Sequence, residues 1–145
     1  MTQFNLCFLG FGNVGRALAR LLVAKSSNLN DEYGIAWRIT GVATRRLGWL
    51  TKPEGYDVAA FAADNAAFID STRAAGIGDW LRMAQADVVF ETTSLNQQSG
   101  QPAIDYIKFI LQSGAHAITA NKGTVVYAYE ELDDLARSLG KKFLF

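Results

Sequence analysis

Cysteine and histidine are scarce in this chain of 145 residues, which contains one of each, and neither sign of charge is in excess. A single thiol, Cys7, cannot close an internal disulfide, and with only His116 to join it no cysteine-histidine cluster can hold zinc; no metal is expected. Fourteen basic side chains balance fourteen acidic ones. No net field therefore draws the chain to nucleic acid or to an anionic membrane surface. Long apolar runs are also missing: none approaches the roughly 20 residues needed to span a bilayer. The opening "MTQFNLCFLGFG" has neither a basic n-region nor a cleavage site. With no repeat, low-complexity segment or linker, these absences lead to the expectation of one soluble, cytoplasmic domain over residues 1–145.

Half of the residues are hydrophobic, and their order alternates between two kinds of element. Phe4 to Leu9 is a short apolar run that stops at a glycine cluster. Val14, Ala17, Leu18, Leu21 and Leu22 follow at helical spacing, until "NLNDEYG" breaks the pattern. Ala36 to Thr44 ("AWRITGVAT") has the branched and aromatic content of a second strand. Arg45 to Gly55 reads as loop, and Tyr56 to Gln85 as alanine-rich helix interrupted at Gly76 and Gly78.

Further strands are predicted at Ala86 to Thr92, Ala115 to Ala120 and Phe143 to Phe145. Between them lie a helix from Pro102 to about Ser113, ended by Gly114, and a last helix with Leu132, Leu135, Ala136 and Leu139 on one face. That helix is acidic at its start (Glu130, Glu131) and is closed by Gly140. Strand-helix alternation of this kind predicts an α/β fold, a Rossmann-like, doubly wound, mostly parallel sheet flanked by helices. Association into a homo-oligomer through the edge of the last strand is compatible with this pattern.

The turn "GFGNVG" sets Gly10, Gly12 and Gly15 at G-x-G-x-x-G spacing, between a strand and an amphipathic helix. Gly10 permits the tight turn, Gly12 lets a pyrophosphate approach the backbone, and Gly15 lets the helix pack closely. Unpaired N–H groups at the start of the helix favour phosphate. Phe11, Asn13 and Val14 complete the turn, so residues 10–15 are candidate dinucleotide contacts.

At the far end of the second strand stand Thr44, Arg45 and Arg46, a hydroxyl and two guanidinium groups suited to a 2′-phosphate. NADP(H) is therefore expected in preference to NAD(H). Asp31 and Glu32 precede that strand, at the wrong end for a ribose, and read as solvated loop charges. Ligands of open α/β sheets sit beyond the carboxyl ends of strands, where "ETTSLN" and "TANKG" place Thr92, Thr93, Ser94, Asn121 and Lys122. Thr92 and Thr93 are candidates to border the nicotinamide ribose. Glu91, costly to bury alone, is expected to meet either backbone N–H groups or Lys122. His116, Cys7, Trp37, Trp49 and Trp80 read as packing residues, and Arg16 as a solvated helix position close to the pyrophosphate.

"LGFGNVGRAL", "ITGVATRR", "ETTSLNQQSGQPA" and "HAITANKG", in that order, resemble the amino-terminal cofactor domain of homoserine dehydrogenase. The likeness covers nearly all of the chain except the alanine-rich middle. Ser94 and Thr124 depart from it, standing where the family often has proline. The resemblance implies NAD(P)-dependent interconversion of L-homoserine and aspartate 4-semialdehyde in threonine and methionine biosynthesis. It also implies that Lys122 lies beside nicotinamide and substrate, as a catalytic cation that polarises the carbonyl oxygen or relays the proton. Members of that family continue into a substrate-binding and dimerisation region. The 145 residues alone are accordingly expected to bind cofactor with little or no turnover. A dehydrogenase for another aldehyde or amino acid and a noncatalytic dinucleotide-binding module are the alternatives that the residues themselves leave open.

Overall fold

A computed structural model describes residues 1–63 and 68–145. The chain runs β1 (Thr2–Leu9), α1 (Asn13–Tyr33), β2 (Ile35–Thr44), β3 (Gly48–Thr51), α2 (Val58–Ala63) and β4 (Thr72–Arg73). It continues through α3 (Ile77–Met83), β5 (Val88–Glu91), α4 (Ala103–Gln112), β6 (His116–Thr119), α5 (Lys122–Ser138) and β7 (Phe143–Leu144). One sheet has the order β4-β3-β2-β1-β5-β6-β7. Strands β2, β1, β5, β6 and β7 are parallel, and β3 and β4 add an antiparallel flank beside β2. This is the Rossmann-like, mostly parallel arrangement expected from the alternation of elements.

The chain begins in the middle, builds outward to one side, then returns to the other side of β1. The topological switch therefore lies between β1 and β5. Pairing aligns the strand ends there, with Leu9 beside both Ala43 and Glu91, and Glu91 beside Thr119. Everything immediately after these residues emerges on one rim.

Period-two alternation divides the core into two halves. Cys7, Leu9, Val89 and Ala117 pack beneath α3, α4 and α5 with Trp80, Ile107 and Leu132. Leu6, Phe8 and Phe90 pack on the α1 and α2 side with Phe11, Ala19 and Phe61. Phe8 anchors that side, 5.4 Å from the Phe11 ring and 5.3 Å from Phe90 between centroids. No helix of the described residues is long and apolar enough to cross a membrane.

Several sequence expectations are corrected. Helix α1 does not stop before "NLNDEYG" but runs through it to Tyr33, and Gly34, at φ 64°, ends it by donating its N–H to Asn30 at 2.9 Å. This last part is exposed and helped by an Asn28–Glu32 hydrogen bond, so it needs no apolar stripe. Asp31 and Glu32 are solvated, but on a helix. The face that α1 buries carries Gly15 and Ala19 flanked by Leu18 and Leu22; Val14, Ala17 and Leu21 are exposed. Small residues win the inner face because they bring the helix closest to the sheet.

Arg45 to Gly55 is not all loop. Gly48, at φ 76°, starts β3 as a tight return beside β2. The hairpin is held by the Thr44 hydroxyl, which accepts from Leu47 N–H at 2.9 Å, and by the Trp80 indole, which donates to the Leu50 carbonyl at 2.9 Å. The alanine-rich stretch is not one interrupted helix either: α2 and α3 are separated by β4, Gly76 caps α3, and Gly78 lies inside it. Residues 64–67 of that expectation lie outside the described residues. Helix α5 starts at Lys122, well before Glu130, and passes a non-helical residue, Ala128, on its way to Ser138.

Candidate functional site

The strand ends of β1, β2 and β5 open onto a crevice of about 450 Å³. Its walls are Leu9 to Gly12, Ala43 to Arg45, Gly48 and Trp49, Thr92 to Ser94, and the start of α4 at Pro102 and Tyr106. Of the residues singled out by sequence, Gly10, Phe11, Gly12, Thr44, Arg45, Thr92, Thr93 and Ser94 line it together. Asn13, Val14, Gly15, Arg46, Asn121 and Lys122 do not line it, although each adjoins a residue that does or lies in the same rim.

The three glycines have distinct surroundings. Gly10 has φ +87°, and a Cβ there would stand 2.8 Å from the Thr92 carbonyl carbon. Its N–H bonds to the Ala43 carbonyl at 2.8 Å and its carbonyl accepts the Thr92 hydroxyl at 2.9 Å, which pins the turn between β2 and β5. Gly15 is equally enclosed, since a Cβ would meet Phe11 at 3.1 Å and the Gly10 carbonyl oxygen at 3.2 Å. Around Gly12 nothing lies within 4 Å of a would-be Cβ. Gly12 is the N-cap of α1, which has no side-chain cap. The first-turn N–H groups and the positive end of a 21-residue helix therefore face an open surface at a bare glycine. That is a cradle fitted to a pyrophosphate.

Beside it, at the end of β2, Arg45 is exposed and borders the crevice while Arg46 is exposed outside it. Asp31 and Glu32, at the far end of α1, are remote from this rim because α1 runs back to the amino end of β2. Arg16 is half-buried with its guanidinium carbon 4.9 Å from the centre of the Phe11 ring. Trp49 and Tyr106, with ring centroids 6.0 Å apart, are the aromatic wall residues that sequence reasoning missed, beside Leu9, Ala43, Gly48 and Pro102. Gly48, followed by tryptophan so soon after Arg45, was the available signal of a hairpin leading back to the rim.

The β5 and β6 ends form the other half. Glu91 is fully buried. Of the two sequence alternatives the structure selects the backbone and adds two hydroxyls. One carboxylate oxygen accepts Thr93 N–H at 2.9 Å and the Thr93 hydroxyl; the other accepts the Thr119 hydroxyl at 2.6 Å. The ion pairs among the described residues, Arg82–Asp79, Lys108–Glu131 and Arg137–Asp133, include neither Glu91 nor Lys122. Lys122 is exposed in the first turn of α5, whose N-cap Asn121 accepts Gly123 N–H at 3.1 Å. Asn121 also donates to the Ser94 carbonyl at 3.5 Å, so the lysine turn is tied to the crevice wall.

Cys7 offers no nucleophile, since burial pushes its thiol up to about 12. Among the described residues no group of three or more metal-ligating side chains is gathered.

A family model described as the NAD binding domain of homoserine dehydrogenase matches residues 10–145. The NAD(+)-dependent homoserine dehydrogenase of Pseudomonas canavaninivorans is 33% identical over 147 residues, covering 94% of this chain and 41% of that protein. A homoserine dehydrogenase of Sulfurisphaera tokodaii is 30% identical over 142 residues, covering 97% and 41%. A solved hyperthermophilic archaeal homoserine dehydrogenase in complex with NADPH superposes with a TM-score of 0.78 at 20% identity, over 99% of this chain and 44% of that one. The chain thus spans less than half the length of the relatives it matches. With a glycine cradle at the switch point and a family match over nearly its whole length, the chain belongs to the homoserine dehydrogenase NAD-binding domain family.

Proposed function

We propose that this chain is the cofactor half of an enzyme interconverting L-homoserine and aspartate 4-semialdehyde, with Lys122 at the hydride-transfer end of the crevice. The observation that carries the reading is the common rim: aligned strand ends bring the open Gly12 cradle, Thr92 to Ser94 and the Asn121–Lys122 turn to one side of the sheet. The dinucleotide supplies the hydride. In this reading Gly10 to Gly15 hold the pyrophosphate, Thr44, Arg45 and Arg46 hold the adenosine ribose, and Thr92, Thr93, Ser94 and Asn121 border the nicotinamide ribose. Substrate groups come from a region beyond these 145 residues, and the chain alone binds cofactor with little turnover. Adding homoserine and NADP to the purified chain tests this last point; rapid reduction would contradict it.

NADP(H) is the preferred cofactor in this proposal. The Pseudomonas relative is named as NAD(+)-dependent and the archaeal neighbour is a complex with NADPH, so the choice turns on local groups. Arg45 borders the crevice beside Thr44 and is a charge-assisted donor for a 2′-phosphate, whereas Arg46 contributes from outside. Arg45→Ala is expected to weaken NADPH binding about tenfold, the loss of one charged hydrogen bond. NADH affinity should hardly change. Equal affinity for the two reduced cofactors, or tighter binding of NADH, by the unaltered chain in titrations would refute the preference.

A further inference from the structure

Glu91 is the one buried carboxylate among the described residues, and nothing in the proposed chemistry uses it. A carboxylate is expensive to bury without a cation, and a glutamine would fill the same volume at lower cost. The reason for the acid lies in the donors around it. Thr93 gives both its N–H and its hydroxyl to one oxygen, and Thr119 gives its hydroxyl to the other. The Thr119 oxygen in turn accepts Asn121 N–H at 2.9 Å. Both ends of the side chain therefore face donors, and only an ionised carboxyl offers an acceptor at both ends. A glutamine must turn its NH₂ toward one of them.

One donor, Thr93, lies in the loop after β5, and the other, Thr119, ends β6 just before its own loop. Thr93 leads into Ser94 on the crevice wall, and Thr119 leads through Asn121 into Lys122. The same loops meet again at two places: Asn121 donates to the Ser94 carbonyl, and Gly100 and Gly123 approach so closely that a Cβ on Gly100 would stand 2.7 Å from the Gly123 carbonyl oxygen. The register that places Glu91 opposite Thr119 sets both side chains on the same face of the sheet.

The geometry points to Glu91 as a positioning residue, whose carboxylate clamps the β5 and β6 loops together and so fixes the nicotinamide end of the crevice. This rests on reading the crevice as the dinucleotide site. With the pyrophosphate at Gly12 and the adenosine at Arg45, the remaining half of the cofactor runs toward Thr93 and Asn121. Arg45 shares pocket walls with the β5 loop but not with Asn121 or Lys122, so the β6 side of the clamp acts on the nicotinamide end of the ligand alone.

The test compares two ligands by calorimetry on the chain: NADPH, and 2′-phospho-ADP, which keeps the adenosine, its 2′-phosphate and the pyrophosphate but lacks the nicotinamide ribose and ring. In Glu91→Gln, NADPH affinity should fall about tenfold while 2′-phospho-ADP stays within about twofold. Thr119→Val, which removes only the hydroxyl on one side of the clamp, should show the same selectivity and serves if Glu91→Gln does not fold. Equal losses for both ligands, no loss for either, or failure of both variants to fold would overturn the assignment, leaving Glu91 a folding residue at most. If the unaltered chain binds neither ligand, the cofactor reading itself fails and this inference with it.

Discussion

Gly12→Val is expected to abolish useful dinucleotide binding, with affinity down by about 100-fold or more, while the fold survives. The new side-chain atoms start from open space, since nothing lies within 4 Å of a Cβ at this position. Its φ of −98° lies outside the left-handed region that favours glycine. What they do meet is the pyrophosphate, which must reach the first-turn N–H groups of α1, and losing two charged hydrogen bonds accounts for a hundredfold. The melting temperature should stay within about 3 °C, as for substitutions that touch nothing in the folded state. Gly10→Ala should behave in the opposite way. Its φ of +87° and a Cβ 2.8 Å from the Thr92 backbone combine left-handed strain with overpacking, together about 3 kcal/mol or more. Thermal unfolding should begin roughly 10 °C lower. Two glycines two residues apart would then separate binding from folding.

The second large effect concerns Lys122. In protein that includes the substrate-binding region, Lys122→Ala is expected to lower kcat by about 10²- to 10³-fold, the range for a removed proton-transfer or oxyanion-stabilising group. The affinity for reduced cofactor should stay within about twofold. Lys122 is exposed and in the first turn of α5, so its charge and the positive end of the helix dipole act in the same direction on an oxygen becoming negative. Loss of transition-state stabilisation without loss of binding is the kinetic signature. A noncatalytic cofactor sensor would show no such split, and unchanged kcat would remove the lysine from the mechanism.

The glycine turn was legible because its function lies in the local backbone: spacing, a strand before and a helix after are all properties of a short stretch. The polar strand ends were legible for a related reason, since apolar runs that stop at "ETTSLN" and "TANKG" announce where the sheet ends. Trp49 was not legible as a wall of the site. Its place depends on a four-residue antiparallel return, too short to show an alternating pattern and held by Trp80 from 30 residues away. Helix α5 was placed too late because "TVVYAY" has the branched and aromatic character of a strand, and the Asn121 cap and tertiary packing override that propensity. Glu91 could be flagged as needing a partner, with backbone N–H groups as one of two alternatives, but its hydroxyl partners could not be named. Its bond to Thr119 exists only through the β5–β6 register, and no stretch of sequence contains both.

The central claim is that the crevice at the β1/β5 switch holds a nicotinamide dinucleotide with its pyrophosphate at Gly12. Trp49 on the crevice wall supplies an internal reporter, so the most direct measurement is energy transfer from tryptophan to reduced nicotinamide during NADPH titration of the chain and of Gly12→Val. The account predicts a saturable signal in the unaltered chain, competed away by 2′-phospho-ADP-ribose, and none in the folded variant. Equal saturation in both proteins, or no binding by the unaltered chain, would contradict it.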